Sequence, residues 1–368
     1  MIRVGLVGLG KMGISHHAIL NAHPEVELAA VCDAAQYVLG VLSKYTGVRT
    51  YGDYRRMIDD AALDCVVVAT PSKTHAEIAR YALERGLDVF CEKPFVLDPQ
   101  DGERLVELAR QGARVTQVGY HYRFVGAFRE AKRLLAAGAL GRIHHVRAEA
   151  YGPVVLRPKG STWRGARSEG GGCLYDYASH AIDLVNFLVG VPAAVSGTSL
   201  AKVFSPDVED EVYATLHFGD GASGQLAANW SDASYRRMTT RVSIWGTNGR
   251  ISADRQECQV YLRERVDTLP GLGTGWTVRY TTELTEPVWF YLRGEEYSAQ
   301  IDHFVQGVKH RQTENVNSFA SALATDRVVQ MLLRNAQALR LEPSASLTQP
   351  RAPARHGLLD SFKRVFSH

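Results

Sequence analysis

The sequence is poor in cysteine, lacks any long apolar run and carries little net charge. Its 368 residues include five cysteines and no C-x-x-C pair, which argues against a disulfide framework and favours reduced thiols in a cytoplasm. No stretch approaches the roughly 20 apolar residues of a membrane span, and Met1 leads directly into a strand-like run without a signal-peptide pattern, so we expect a cytoplasmic protein without stable membrane insertion. The formal charge of +3, from 42 basic and 39 acidic residues, argues against nucleic acid as a partner.

The pattern of apolar residues changes near residue 120. Before it, short apolar runs alternate with helical stretches, which is typical of a doubly wound parallel sheet with helices on both faces. After it, longer alternating segments are joined by hairpin signals such as Asp220-Gly221 and Asn248-Gly249. We therefore predict an α/β Rossmann domain at 1–121, an α+β domain with a large open, mainly antiparallel sheet at 122–340, and a flexible tail at 341–368.

A glycine-rich turn follows the first predicted strand. Gly8, Gly10 and Gly13 have the G-x-G-x-x-G spacing, which brings backbone close to a pyrophosphate at the start of a helix. Asp33 ends the second predicted strand, where a carboxylate accepts the ribose hydroxyls of NAD and repels the additional phosphate of NADP. These residues predict NAD, rather than NADP, as the cofactor; the alternative is a tight turn with a helix-capping acid.

A lysine follows the fifth predicted strand, in the sequence Glu92-Lys93-Pro94. In open parallel sheets, ligands bind beyond the carboxyl ends of the strands, so Lys93 is expected to project toward the cofactor crevice. Pro94 favours an extended backbone at Lys93. The alternative is an ordinary surface lysine beside a turn proline.

In the second predicted domain, Asp176, His180 and Asp183 have i, i+4 and i+7 spacing, which places them on one face of a helix. A carboxylate one turn before a histidine can orient its ring, and such a histidine suits the removal of a proton from a hydroxyl. Two alternatives are a metal site and a structural polar face between domains. We expect no metal, because hydride transfer needs none when a lysine and a histidine manage the hydroxyl proton.

Together these motifs resemble the glucose–fructose oxidoreductase / inositol dehydrogenase / MocA (Gfo/Idh/MocA) family over roughly residues 1–340. The resemblance rests on Gly8-Leu9-Gly10-Lys11-Met12-Gly13, Ala69-Thr70-Pro71 with His75, Glu92-Lys93-Pro94, Arg123-Phe124 and Gly170-Gly171-Gly172 through Asp183. It implies NAD(P)-dependent oxidation or reduction of a secondary alcohol in a sugar or cyclitol. It also implies homodimers or homotetramers formed through the sheet domain.

The resemblance also implies roles for individual residues. Lys93, Asp176 and His180 match the catalytic residues of the family. The expected cofactor-binding residues are Gly8, Gly10, Lys11, Met12, Gly13, Asp33, Thr70, Pro71, His75, Glu92 and Lys93, with Glu92 near the nicotinamide ribose. In the resulting hypothesis Lys93 polarises the substrate oxygen, while His180, steadied by Asp176, takes the hydroxyl proton. His121 stands where many members have asparagine, so substrate contacts are expected to differ there.

A basic loop precedes the predicted catalytic helix. It contains Arg157, Lys159, Arg164 and Arg167 against the single acid Glu169. Arginine suits recognition of carboxylate or phosphate, so the loop suggests an anionic substrate such as a uronic acid or a nucleotide sugar. The alternative is a solvated loop or a subunit contact. The full set of candidate substrate residues is Arg123, Tyr151, Arg157, Trp163, Arg164, Asp176 and His180, with Tyr175 as a further candidate.

A different class of function is a regulator or scaffold that binds a dinucleotide or sugar without turnover. The intact set of Lys93, Asp176 and His180 argues against it, because a sensor need not retain all three. The end of the tail has apolar residues at helical spacing, which suits a membrane surface, a partner groove or docking on the protein itself.

Overall fold

The computed structural model of the chain describes residues 1–155 and 163–338. The first predicted architecture is confirmed by a six-stranded sheet in the order β3-β2-β1-β4-β5-β6, in which every neighbouring pair is parallel. Its strands are β1 (Ile2–Val7), β2 (Val26–Cys32), β3 (Arg49–Tyr51), β4 (Cys65–Val68), β5 (Asp88–Cys91) and β6 (Thr116–Val118). Its helices are α1 (Lys11–Asn21), α2 (Gln36–Thr46), α3 (Tyr54–Asp60), α4 (His75–Glu84) and α5 (Pro99–Gln111).

The central parallel strands are buried on both faces. All four residues of β4 and of β5 are buried, which explains why these segments are continuous apolar runs rather than alternating ones. Local signals set the helix ends. Asp98, for example, caps α5 by accepting a hydrogen bond from the backbone N–H of Gln100, and Pro99 occupies the first turn.

The second sheet has eight strands in the order β14-β13-β12-β11-β7-β10-β9-β8. Only the pair β7 and β10 is parallel among its described strands, which confirms the prediction of a mainly antiparallel sheet. The strands are β7 (Ile143–Tyr151), β8 (Ala194–Ala201), β9 (Glu211–His217), β10 (Ser223–Asn229), β11 (Thr239–Gly246), β12 (Gly249–Ala253), β13 (Glu257–Leu262) and β14 (Gly275–Tyr280). Both predicted hairpin turns are present, between β9 and β10 and between β11 and β12.

Helices α6 (Gly126–Ala136) and α7 (Ser179–Leu188) cover one face of this sheet and form its core. A π-helical turn at Leu174–Ala178 precedes α7. Three further helices follow the sheet along the chain: α8 (Thr281–Leu284), α9 (Glu295–His310) and α10 (Phe319–Ala338). Alternate strand residues point into the core, among them Val146, Ala148 and Ala150 of β7.

The last two helices cross the predicted domain division. Tyr297, Ile301 and Phe304 of α9 pack with β1 residues in a core of the parallel-sheet domain, and Phe319 of α10 contacts Phe95 at a ring distance of 4.2 Å. The division into 1–121 and 122–340 stays a prediction, but the two parts share cores through these helices. The tail from residue 339 lies outside the described residues. Within the described ranges, none of the helices is both long and apolar enough to cross a membrane.

Candidate active site at the carboxyl ends of the parallel strands

The glycine-rich turn after β1 is as tight as its G-x-G-x-x-G spacing predicts. A Cβ on Gly8, whose φ is +95°, would lie 2.7 Å from the carbonyl of Ala69, and one on Gly13 would lie 1.8 Å from the oxygen of Gly8. A Cβ on Gly10 would meet nothing within 4 Å, so the turn is open there. No side chain caps the start of α1. The turn and the helix N-terminus together suit a pyrophosphate, which fits a dinucleotide.

Asp33 ties the end of β2 to the glycine turn. Its Oδ2 accepts the backbone N–H of Leu9 at 2.6 Å, and its Oδ1 accepts that of Ala35 at 2.8 Å. These two bonds fix the carboxylate at the edge of the crevice, and its contact with the ribose hydroxyls of NAD stays a prediction.

His75 supports the crevice from beneath rather than lining it. Its Nδ1 lies 2.9 Å from the carbonyl oxygen of Pro94 and its Nε2 3.0 Å from that of Thr70, and the side chain is buried. Burial lowers the pKa of His75, and these carbonyls oppose that shift. The expectation that His75 lines the cofactor is therefore corrected, because His75 joins the loop after β4 to the loop after β5. Thr70 and Pro71 are more exposed than His75.

Lys93 and Asp176 meet across the two domains. Lys93 Nζ donates to Oδ1 of Asp176 at 2.8 Å and to its backbone carbonyl at 3.1 Å, while Arg164 Nε donates to Oδ2 at 2.8 Å. Burial acts to raise the pKa of Asp176, but the charges of Lys93 and Arg164 outweigh it and lower this pKa to about 2. The carboxylate is therefore ionised and holds the lysine ammonium at the crevice.

Glu92 lies next to this lysine and is buried. Its carboxylate contacts His16 Nε2 at 2.7 Å and accepts the backbone N–H of Lys93 at 3.1 Å. Burial acts to raise the pKa of Glu92, and the hydrogen bond and charge of His16 outweigh it, so the net shift is downward. Both carboxylate oxygens of Glu92 therefore form contacts within the protein. The position of Glu92 beside the nicotinamide ribose stays a prediction.

His180 is buried in an aromatic surround. Its ring lies 6.0 Å from that of Tyr120, 5.1 Å from that of His121 and 5.0 Å from that of Tyr122, each edge-on. Burial, followed by the charges of Lys93 and His121, holds the pKa of His180 well below its usual value. The imidazole is therefore neutral at pH 7, the form that accepts a proton.

The expectation that Asp176 steadies His180 is corrected. Within the described residues, His180 Nδ1 has no hydrogen-bond partner, and both oxygens of Asp176 are used by Lys93 and Arg164. The π-helical turn at Leu174–Ala178 changes the angular spacing on which the i, i+4 prediction depends. Asp176 consequently acts on Lys93, and His180 is placed by its aromatic neighbours.

The metal alternative fails for the same three-residue motif. Asp183 forms a buried, bidentate ion pair with Arg123, at 2.9 Å to Nε and 2.6 Å to a terminal nitrogen, whereas Asp176 binds Lys93 and Arg164. The remaining terminal nitrogen of Arg123 contacts the carbonyl of Val316 and Ser321 Oγ, the latter at 2.6 Å. The prediction of Arg123 as a substrate residue is therefore corrected, because the side chain is buried and each of its three nitrogens is bonded inside the protein.

Sequence reasoning missed Tyr297 as a neighbour of the site. Its ring stacks on that of His121 at 4.4 Å and 19°, and its hydroxyl lies 3.3 Å from His121 Nε2. Burial lowers the pKa of His121 to about 3, so this histidine is also neutral. No signal in the sequence points to Tyr297, because it lies on α9, 176 residues after its partner.

A cavity of about 610 Å³ lies at the adjoining end of the second sheet, with Tyr122 in its wall. Tyr151, a predicted substrate residue, lines it and stacks on Tyr235 at 5.5 Å. Tyr175 is buried. Two predicted substrate contacts, Arg157 and the side chain of Trp163, lie outside the described residues.

Comparison with known proteins matches both halves of the chain to family models. A model described as "Oxidoreductase family, NAD-binding Rossmann fold" matches residues 2–120, and one described as "GFO/IDH/MocA C-terminal domain" matches residues 128–252. The chain is 30% identical to a levoglucosan dehydrogenase of Pseudarthrobacter phenanthrenivorans, over 70% of this chain and 76% of that protein. It is 31% identical to the rhizopine catabolism protein MocA of Rhizobium meliloti, over 68% and 78% of the two chains.

Solved structures give the same picture. A levoglucosan dehydrogenase in complex with NADH and levoglucosan superposes with a TM-score of 0.81 at 26% identity, covering 92% of this chain and 97% of that one. GenD2 from gentamicin A biosynthesis, in complex with NAD, superposes with a TM-score of 0.75 at 28% identity, covering 94% and 97%.

Proposed function

The chain belongs to the Gfo/Idh/MocA family of NAD-binding oxidoreductases, and we propose that it transfers a hydride between a secondary alcohol of a sugar, sugar derivative or cyclitol and NAD. The family predicted from the motifs is thereby confirmed. One observation carries the proposed reaction: Lys93 Nζ pairs with Asp176 at 2.8 Å, in the π-helical turn directly before α7, the helix that carries His180.

These residues divide the work of alcohol oxidation between two groups. When bound, NAD supplies the hydride acceptor, and Gly8, Gly10 and Asp33 would hold it at the crevice. His180 takes the hydroxyl proton, because its imidazole is neutral. Lys93 donates a hydrogen bond to the substrate oxygen and stabilises the negative charge that develops there. In the reducing direction the same groups return the proton.

The names of the relatives favour an uncharged polyol over an anionic sugar. Within the described part of the basic loop, Arg167 pairs with Glu209 at 2.6 Å, and Arg164 shares the single carboxylate of Asp176 with Lys93. Two basic side chains therefore meet one carboxylate at the site, and a uronic acid or nucleotide sugar stays a prediction. Relatives named as levoglucosan, myo-inositol and D-glucoside dehydrogenases support a neutral substrate with several hydroxyls.

Reduction of NAD, followed by absorbance at 340 nm, tests the function with a panel of neutral pyranoses, anhydrosugars, methyl glycosides, cyclitols and uronic acids. We expect turnover with a neutral polyol, and turnover slowed by roughly 10²–10⁴-fold in the Lys93→Met variant. NAD binding by calorimetry without turnover on any member of the panel would instead support the regulator or scaffold alternative. A preference for uronic acids over their neutral counterparts would restore the anionic substrate.

We also propose that the outward face of the second sheet forms a homo-oligomer. Tyr213, Tyr261 and Trp276 are partly exposed on its strands, Trp276 by 58%, and exposed aromatic side chains are enriched at subunit interfaces. Light scattering on the wild type should give a dimer or tetramer, and Trp276→Glu should lower the mass. A monomeric wild type would contradict the proposal.

A cytoplasmic location of the protein stays a prediction.

A further inference from the structure

A buried side-chain pair joins helix α1 to the loop that carries Lys93. His16 lies on α1, three residues after Gly13, and its side chain is completely buried. Its Nε2 lies 2.7 Å from Oε1 of Glu92, whose Oε2 accepts the backbone N–H of Lys93. One carboxylate therefore connects the helix at the predicted pyrophosphate site to the backbone of the lysine.

The surroundings leave this carboxylate little room to move. A Cβ on Gly119 would lie 2.8 Å from Oε2 of Glu92, so the chain after β6 closes over the carboxylate. On the other side, the ring of His16 packs edge-on against Phe90 at 5.3 Å. Glu92 is consequently held by a hydrogen-bond partner, a neighbouring amide and a close backbone contact.

The position of the lysine ammonium depends on this arrangement. The flexible four-carbon side chain of Lys93 is held at one end by the Glu92 bond to its backbone N–H and at the other by Asp176, so a shift of the backbone changes how Nζ reaches Asp176. Without His16, Glu92 would be a buried carboxylate that has lost its charged or polar side-chain partner, which is strongly unfavourable. The carboxylate would then protonate or reorient and release the Lys93 amide.

We propose that His16 and Glu92 are positioning residues for Lys93, which fix its backbone relative to the dinucleotide-binding helix so that its ammonium stays on Asp176. The expected effect of His16 and Glu92 on turnover rests on the proposed function. The consequence for the placement of Lys93 does not, and it can be measured without a substrate.

Three variants separate this role from general packing. His16→Phe keeps a ring against Phe90 and removes the hydrogen-bonding nitrogen, whereas His16→Gln keeps an N–H donor. His23→Phe is a matched control. His23 is also buried, its Nε2 lies 3.2 Å from Asp302, and its ring contacts Trp289 at 4.5 Å. Glu92→Gln replaces His16→Phe if that variant does not fold.

Competitive labelling with acetic anhydride, read by mass spectrometry, reports the placement of Lys93. The Lys93 side chain is 14% exposed and ion-paired, so we expect it to react slowly relative to Lys309 in the wild type. His16→Phe should raise this relative rate several-fold; His16→Gln and His23→Phe should leave it unchanged. Equal changes in His16→Phe and His23→Phe, or no change in either, would overturn the proposal.

Steady-state kinetics supplies the second measurement. In His16→Phe we expect kcat to fall by about 10- to 100-fold, the effect of a misplacement near 1 Å, with the Kd for NAD unchanged. His16→Gln should recover most of kcat. If the wild type oxidises no member of the polyol panel, the proposed function fails, and the labelling result still decides the positioning role.

Discussion

Lys93 Nζ contacts Asp176 twice, at Oδ1 and at the backbone carbonyl, although 83 positions separate the two residues. The pair joins the loop after β5 to the π-helical turn before α7, and so to the start of the helix that carries His180. Arg164 binds the second oxygen of the same carboxylate, so both oxygens of Asp176 are held by basic side chains.

Lys93→Met should reduce kcat by roughly 10²–10⁴-fold, because the substrate oxygen loses the donor that stabilises its developing charge. The Kd for NAD should not change, since the glycine turn and Asp33 do not contact this side chain. Lys309→Met is the control, as Lys309 pairs with Glu25 at the surface. Stopped-flow and steady-state rates measure the effect, and a variant with wild-type kcat would remove Lys93 from the mechanism.

The pH profile of alcohol oxidation should have its acid limb below pH 6.5. His180 must be neutral to accept the hydroxyl proton, and burial holds its folded-state pKa well below the usual 6.5. Protonating it also destabilises the fold as the pH falls below 6.5, because the unfolded chain binds this proton more tightly. Thermal unfolding over the same pH range separates the two effects. An acid midpoint of kcat at or above 6.5 would contradict the assignment.

Asp33→Asn should shift the cofactor preference from NAD toward NADP. The substitution keeps the shape that accepts the Leu9 N–H and removes the charge that repels the additional phosphate. A hydrogen bond to a charged group contributes about 1.5–3 kcal/mol, so we expect NAD to bind about 10- to 100-fold more weakly. Calorimetric titration with both dinucleotides measures this. Asp98→Asn, at the cap of α5, should change neither affinity.

Arg123→Met should destabilise the protein by about 3–5 kcal/mol, because it leaves Asp183 buried without its partner. Urea unfolding measures the loss, and the double variant Arg123→Met/Asp183→Asn should recover part of it. The KM for substrate of the folded fraction should remain that of the wild type. A raised KM with undiminished stability would instead return Arg123 to the substrate site.

Much of the fold could be predicted because its signals are local. Each signal reports what its own segment needs: strands β4 and β5 need apolar side chains on both faces, and the hairpins of the second sheet need turn residues. The turn at Gly8 and Gly13 needs residues without a side chain. The position of Lys93 follows from one further rule, that the carboxyl ends of parallel strands face the ligand. Helix α3 has no comparable signal in the sequence, because it is short and half-exposed, with only Met57 and Ile58 buried.

The partners within the site depended on contacts between distant segments. Helical spacing correctly placed Asp176, His180 and Asp183 in one helical segment, but it paired Asp176 with the wrong residue. A π-helical turn and the approach of Lys93 decided that pairing. In the same way, Arg123 was interpreted from its motif as a substrate contact, while burial opposite Asp183 made it structural.

The sequence by itself determined the two sheets, the dinucleotide turn and the chemical groups present, since these depend on periodicity, turn chemistry and residue type. Only the tertiary structure decided which groups meet. His16 reaches Glu92 across 76 positions and Tyr297 reaches His121 across 176, and no local pattern encodes either contact. The physical reason is that burial and charge at a site depend on packing between elements: the lowered pKa values of His180 and Asp176 arise only after the helices and both sheets assemble.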